Sequence, residues 1–118
     1  TVLSRGLGDV YKRQDGEYIP LFKVTPIYPR RAQERGIQGY SIVAFTITET
    51  GTVEDVVPLE GFCGDPTDPA TEYRKCSIFN SAASRAALKL KYKPKIVDGN
   101  AVKVYDVPHK FTFILEDL

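Results

Sequence analysis

The sequence predicts an α+β fold of two layers. A three-stranded, mostly antiparallel sheet carries one main helix, plus a short N-terminal helix, packed on one face. Three observations carry this. Residues 39–48 and 53–60 alternate apolar and polar side chains on either side of a turn at Gly51. Phe79, Ala82, Ala83, Ala86, Ala87 and Leu90 recur at i, i+3, i+4 spacing, the stripe of a helix lying close on a sheet. A last alternating run ends at Leu115, with Phe111, Phe113 and Leu115 on one face and Lys110, Thr112 and Ile114 on the other.

The elements follow in order. Residues 18–25 form a short, partly apolar approach segment. Pro26-Ile27-Tyr28-Pro29 is extended, because each proline fixes its own φ and pushes the preceding residue out of the helical region. Arg30 to Arg35 makes a short polar helix that Gly36 ends in a left-handed conformation. In the first strand Val43, Phe45 and Ile47 make an apolar face, and Ile42, Ala44, Thr46 and Thr48 a mixed one. Glu49-Thr50-Gly51-Thr52 turns the chain into a second strand that Pro58 marks as an edge. Residues 61–75 read as a loop. Ser77 caps the main helix, Lys89, Lys91 and Lys93 favour the negative end of its dipole, and Pro94 stops it. Asp98-Gly99-Asn100, between residues 95–97 and 101–104, signals a second hairpin.

Length and composition set limits. The chain has 118 residues with 16 basic and 15 acidic side chains, one His and two Cys, and is 42% hydrophobic and 26% charged. That suits one globular domain and not two cores. A net charge of +1 exerts no general pull toward nucleic acid, and no nucleic-acid partner is expected. The longest charge-free stretch, residues 36–48, is too short and too polar to span a bilayer. Residues 1–14 show neither strand alternation nor a helical stripe. Asp9-Val10-Tyr11-Lys12-Arg13-Gln14 resembles the conceptual translation of a transposon sequencing adapter, so residues 1–14 read as a non-native, disordered segment. The natural sequence is then expected to begin near Asp15 as the remnant of a longer gene. Removing those residues takes away three basic side chains and one acidic one, and the slight positive charge turns negative.

Few side chains suggest catalysis. His109, in phase with Phe111 and Phe113, has no motif supplying a nucleophile or an orienting group, and reads as a structural strand histidine. Asp65, Asp68 and Glu72 lack the glycine and terminal glutamate of an EF-hand loop and read as a solvated loop. No metal or other cofactor is expected. Cys63 and Cys76 flank the loop too far apart for a redox pair and too few for a zinc site. The spacing favours a disulfide, worth about 3 kcal/mol for a loop of this length, in an oxidising compartment, with two buried free thiols as the alternative. Arg30, Arg31 and Arg35 make either a solvated helix face or a docking patch for a carboxylate-bearing partner. The uninterrupted run from Lys110 to Leu115 offers an edge on which a partner peptide can add a strand.

These pieces, in this order, resemble the C-terminal domain of TonB-type energy transducers. The resemblance rests on Pro26-Ile27-Tyr28-Pro29, Arg31-Ala32-Gln33, Gly36-Ile37-Gln38-Gly39-Tyr40, Phe45-Thr46-Ile47-Thr48 with Gly51-Thr52-Val53, Phe79-Asn80-Ser81-Ala82-Ala83 and Tyr92-Lys93-Pro94. It implies a TonB-like domain over residues 26–116 preceded by a linker or approach segment over 15–25. It also implies a Gram-negative periplasmic module, anchored by an inner-membrane helix upstream and driven by an ExbB–ExbD-like motor. The module performs no chemistry of its own. It captures the TonB box of outer-membrane transporters as an added strand, for uptake of siderophore- or cobalamin-like nutrients. On this resemblance Lys110, Phe111, Thr112, Phe113 and Ile114 offer the backbone edge, Tyr28 and Pro29 shape the approach, and Arg31 faces the transporter. Thr25 and Ile27 in place of polar residues, and the Cys-flanked insertion, depart from the best-known pattern. The alternative is a TonB-like scaffold appended to a membrane signalling receptor or peptidase. Exposed edges of small sheets can also pair with each other, which leaves a homodimer open.

Overall fold

β1 (Gly39–Ile47) is the strand around which the chain is organised. Val43, Phe45 and Ile47 enter the main core, and Ile42, Ala44 and Thr46 on the opposite face are buried as well. The mixed face expected there is therefore shielded as well, although Ile42, Ala44 and Thr46 stand outside the main core cluster. The computed structural model describes residues 18–116, so residues 1–14, with their adapter-like run, lie outside the described residues.

A tight turn leads from β1 into β2 (Val53–Cys63). The Thr48 and Thr52 backbones bond at 2.8 Å, and the Thr48 hydroxyl accepts from the Thr52 N–H at 3.2 Å. Gly51 sits at φ 86°, and a Cβ there would overlap the Tyr92 carbonyl. Its own carbonyl accepts the Tyr92 N–H at 2.8 Å, so the turn is locked to the segment after the main helix. Only glycine satisfies both demands.

β2 continues to Cys63, three residues beyond the expected strand. Part of the expected loop is strand too: β3 (Arg74–Lys75) pairs with Phe62 and Cys63. A disulfide joins Cys63 and Cys76, with Cα atoms 5.7 Å apart. The link is the disulfide that the sequence favours; the strand pairing beside it, which local composition did not reveal, joins it in holding the far end of β2.

The short helix α1 (Arg30–Glu34) follows Pro29 as expected and ends before Gly36 at φ 67°. The main helix α2 (Asn80–Ala87) begins later than the capping reading placed it. Ser77 makes no side-chain cap; Phe79 occupies the N-cap position and is fully buried. Burial of that ring fixes the start of the helix, while Asn80 Oδ1 accepts from the Ser41 hydroxyl at 2.9 Å. Ala83, Ala86 and Ala87 face the core, and Leu90 and Tyr92 extend it past the helix end.

Next come β4 (Lys95–Val97) and β5 (Asn100–Val102), a separate two-stranded ribbon turned by Asp98 and Gly99, both at positive φ. β6 (Val104–Phe113) closes the fold, antiparallel to β1 from Val104 opposite Ile47 to Phe113 opposite Gly39. The main sheet has the order β3-β2-β1-β6. It holds four strands rather than the three expected, and the two-layer α+β class is unchanged. The approach segment packs onto this body: Val24 is in the core and the Leu21 N–H donates to the Lys91 carbonyl at 2.8 Å. Among the described residues no helix is long and apolar enough to cross a membrane.

Candidate partner-binding edge

β6 has β1 on one side and no strand on the other among the described residues. Its side chains are nonetheless fixed. Phe111 and Phe113 are buried in the core, and the Phe113 ring stacks on Phe79 at 4.4 Å between centroids. Thr112, on the opposite face, is 1% exposed. Lys110 lays its ammonium 4.4 Å above the Tyr40 ring, and partial burial lowers its pKa. The backbone edge from 110 to 113 is therefore held on both faces by side chains, and β6 is the outermost strand of the sheet among the described residues. Ile114 lies one residue beyond β6. The chain stays against the sheet there, because the Leu115 N–H donates to Gln38 Oε1 at 2.7 Å.

Tyr28 is brought to the same end of the sheet. Its ring makes edge contacts with Phe79 and Phe113 at 5.8 and 5.7 Å, and its hydroxyl donates to the Ile37 carbonyl. Burial pushes that hydroxyl up to about 12. Pro29 supplies the turn into α1, its carbonyl accepting the Gln33 N–H at 2.9 Å. Arg31, in the first turn of α1, is exposed. The tyrosine thus anchors the approach segment next to the end of β6, and Arg31 stands free on the surface a few residues on.

His109 is 2% exposed, with its ring edge-on to Phe111 at 4.9 Å and Nε2 without a hydrogen-bond partner. Burial lowers its pKa to about 4, so it is a neutral core residue near neutral pH. Among the described residues no group of three or more His, Cys, Asp and Glu side chains is placed to hold a metal. The Asp65 carboxyl accepts from the Thr67 N–H and hydroxyl at 2.9 and 2.6 Å, a local loop bond that lowers its pKa. Two features of the edge escaped the sequence reading: Gln38, which tethers residue 115, and the Tyr40–Phe62–Tyr73 aromatic cluster under Lys110. The signal for both is strand register, and register appears only once β1 is aligned with β6.

The fold and this edge define a class: a small, disulfide-bonded α+β domain with an edge strand beside a tyrosine-anchored segment. Residues 24–61 match the family described as Gram-negative bacterial TonB protein C-terminal. The chain is 32% identical over 88 residues to protein TonB of Pseudomonas aeruginosa, covering 75% of this chain and spanning 22% of that protein's length. The solution structure of the P. aeruginosa TonB C-terminal domain superimposes with a TM-score of 0.60 at 31% identity, over 88% of this chain and 92% of that one. The TonB2 protein of Vibrio anguillarum gives 0.54 at 28% identity, over 99% and 97%. The chain belongs to the TonB C-terminal domain family.

Proposed function

We infer that this domain captures an extended segment of an outer-membrane transporter, the TonB box, by adding it as a strand beside β6. Residues 26–116 are the binding domain, with residues 15–25 an approach segment that leads toward an inner-membrane anchor. The module performs no chemistry. It sits in the periplasm and passes to the transporter the pull generated by an ExbB–ExbD-like motor, in nutrient uptake of the siderophore or cobalamin type. The observation that supports this reading is the β6 edge: the outermost strand of the sheet among the described residues, rigid because both faces are packed, and long enough for a short peptide. Main-chain pairing tolerates variation in the bound sequence, while Arg31 adds a charged contact beside Tyr28 and Pro29 that fixes register. The same exposed edge supports a homodimer at high concentration.

The test is a TonB-box peptide titrated into the labelled domain. Amide signals of Lys110, Phe111, Thr112, Phe113 and Ile114 are expected to shift and to become protected from exchange. Shifts confined to other strands would remove the edge assignment. Arg31→Glu is expected to weaken capture of the transporter with little change in unfolding midpoint, because the side chain is exposed.

A further inference from the structure

On the side of the molecule where α2 meets the approach segment, a cleft of about 410 Å³ runs between residues 25–30 and the helix. Two parallel rows of side chains shape it. Ile78, Ala82 and Ala86, each four residues apart, make a low apolar floor, and Ser81, Arg85 and Lys89 make one wall at the same spacing. Pro26, Ile27 and Arg30 make the other wall. The small side chains of Ala82 and Ala86 leave this row shallow.

The electrostatics are one-sided. Arg30, Arg85 and Lys89 all line the cleft, and no Asp or Glu does. All three are exposed, and none takes part in an ion pair among the described residues. Ile27 stands on the rim at 76% exposed, the most exposed large hydrophobic side chain described. A solvated basic patch needs no apolar floor, and an apolar side-chain slot needs no ring of cations. The volume is that of a small-ligand or peptide site.

We propose that this cleft is a second docking site, for an acidic peptide segment of a partner protein that carries apolar side chains between its carboxylates. Carboxylates on the segment pair with Arg30, Arg85 and Lys89, the two guanidinium groups able to take them bidentately. Apolar side chains between them cover Ile78 and Ala82, which are only partly buried, and remove Ile27 from water. The cleft is bounded by α2 and residues 25–30, not by β6, so it is free when a strand is added there.

The probe is a blocked seven-residue peptide alternating Asp or Glu with Leu, titrated into the labelled domain beside the same peptide carrying Asn and Gln. Saturable shifts are expected at Ile78, Ser81, Ala82 and Ala86 with the acidic peptide, weakening as salt is raised. The neutral peptide and an Arg85→Glu, Lys89→Glu double variant are each expected to bind about tenfold more weakly. Both substitutions are on exposed residues, and an unchanged unfolding midpoint confirms that the variant is folded. Equal binding by the neutral peptide, insensitivity to charge reversal, or no saturable binding overturns the proposal. Shifts confined to residues 110–113 also overturn it, and displacement by millimolar inorganic phosphate alone reassigns the cleft to small anions. Apart from shifts at residues 110–113, none of these outcomes bears on capture at β6, which is read from different amides.

Discussion

The main sheet has two long outer edges, and they are built differently. Along β6, the first half carries a register shift against β1, Asp106 at φ 54° and Pro108, whereas from His109 to Phe113 the pairing with β1 is unbroken and His109, Phe111, Thr112 and Phe113 are all buried. Along β2, Val57 and Leu59 are 52% and 48% exposed, and β3 covers only Phe62 and Cys63. The pairing of β2 with β1 is broken by two register shifts, between Ile42 and Val43 and between Ala44 and Thr46. Asp55 stands at φ 54° within the second shift, and Pro58 interrupts the donors between the two. Bulges, exposed charge and proline are the means by which natural sheets discourage unwanted pairing. The β2 edge is blunted along its middle, whereas the β6 edge is blunted only before His109 and regular from there to Phe113; under the proposed strand addition, that asymmetry favours residues 109–113 as the side the partner takes.

The largest expected effect follows from the packing of the open edge. Phe111→Ala removes a fully buried ring from β6 and is expected to cost about 3–5 kcal/mol, a large part of the stability of a domain this size. Leu59→Ala on the blunted edge removes a half-exposed side chain and is expected to cost under about 1 kcal/mol. Urea unfolding of the two variants measures the contrast directly. Equal losses would mean that the β2 edge is as firmly packed as the β6 edge, and the asymmetry would fail.

The sequence exposed this contrast only in part. Alternation in residues 39–48 and near Leu115 identified β1 and β6, and Pro58 identified an edge, because those signals are local. β3 went unseen: a two-residue strand has no period to detect, and it forms only because β2 and the Cys63–Cys76 link bring it into place. The start of α2 was misplaced for a related reason. Ser77 has the right chemistry for a cap, but burial of Phe79 in the tertiary core sets the boundary instead. At the candidate edge, the strand run through residues 110–113 and the extended tyrosine-proline segment were legible as local structure. That Tyr28 touches Phe113, and that Lys110 lies over Tyr40, depends on register and on packing between elements far apart in the chain.

A pH titration separates the two edges again, because the buried imidazole belongs to the open one. His109 titrates near 4 in the fold and about 6.5 in the unfolded chain. Below about pH 6.5 the unfolded chain therefore binds the proton that the fold resists, and folding stability falls as pH drops. The loss accumulates between about 6.5 and 4 and amounts to about 3 kcal/mol at its lower end. Urea midpoints taken from pH 7.5 down to 4.5 are expected to show this slope in the wild type and to lose most of it in His109→Gln. A slope unchanged by the substitution would assign the acid sensitivity to carboxylates instead.

The smallest effect tests the blunted edge itself. Pro58 lies opposite Val43 in the exposed middle of β2, between the two register shifts. Pro58→Val restores a backbone N–H and a β-favouring side chain while leaving both bulges in place. Folding stability is expected to stay within about 1 kcal/mol, since the residue is exposed and contributes nothing to the core. Association is the property expected to change, with sedimentation velocity showing more dimer at high concentration than the wild type. Binding of a peptide at residues 110–113 should not change, because β1 separates the two edges. If the variant stays monomeric at millimolar concentration, the bulges and the Asp55 conformation suffice to close the edge, and the proline is a second safeguard on a strand already twisted out of use.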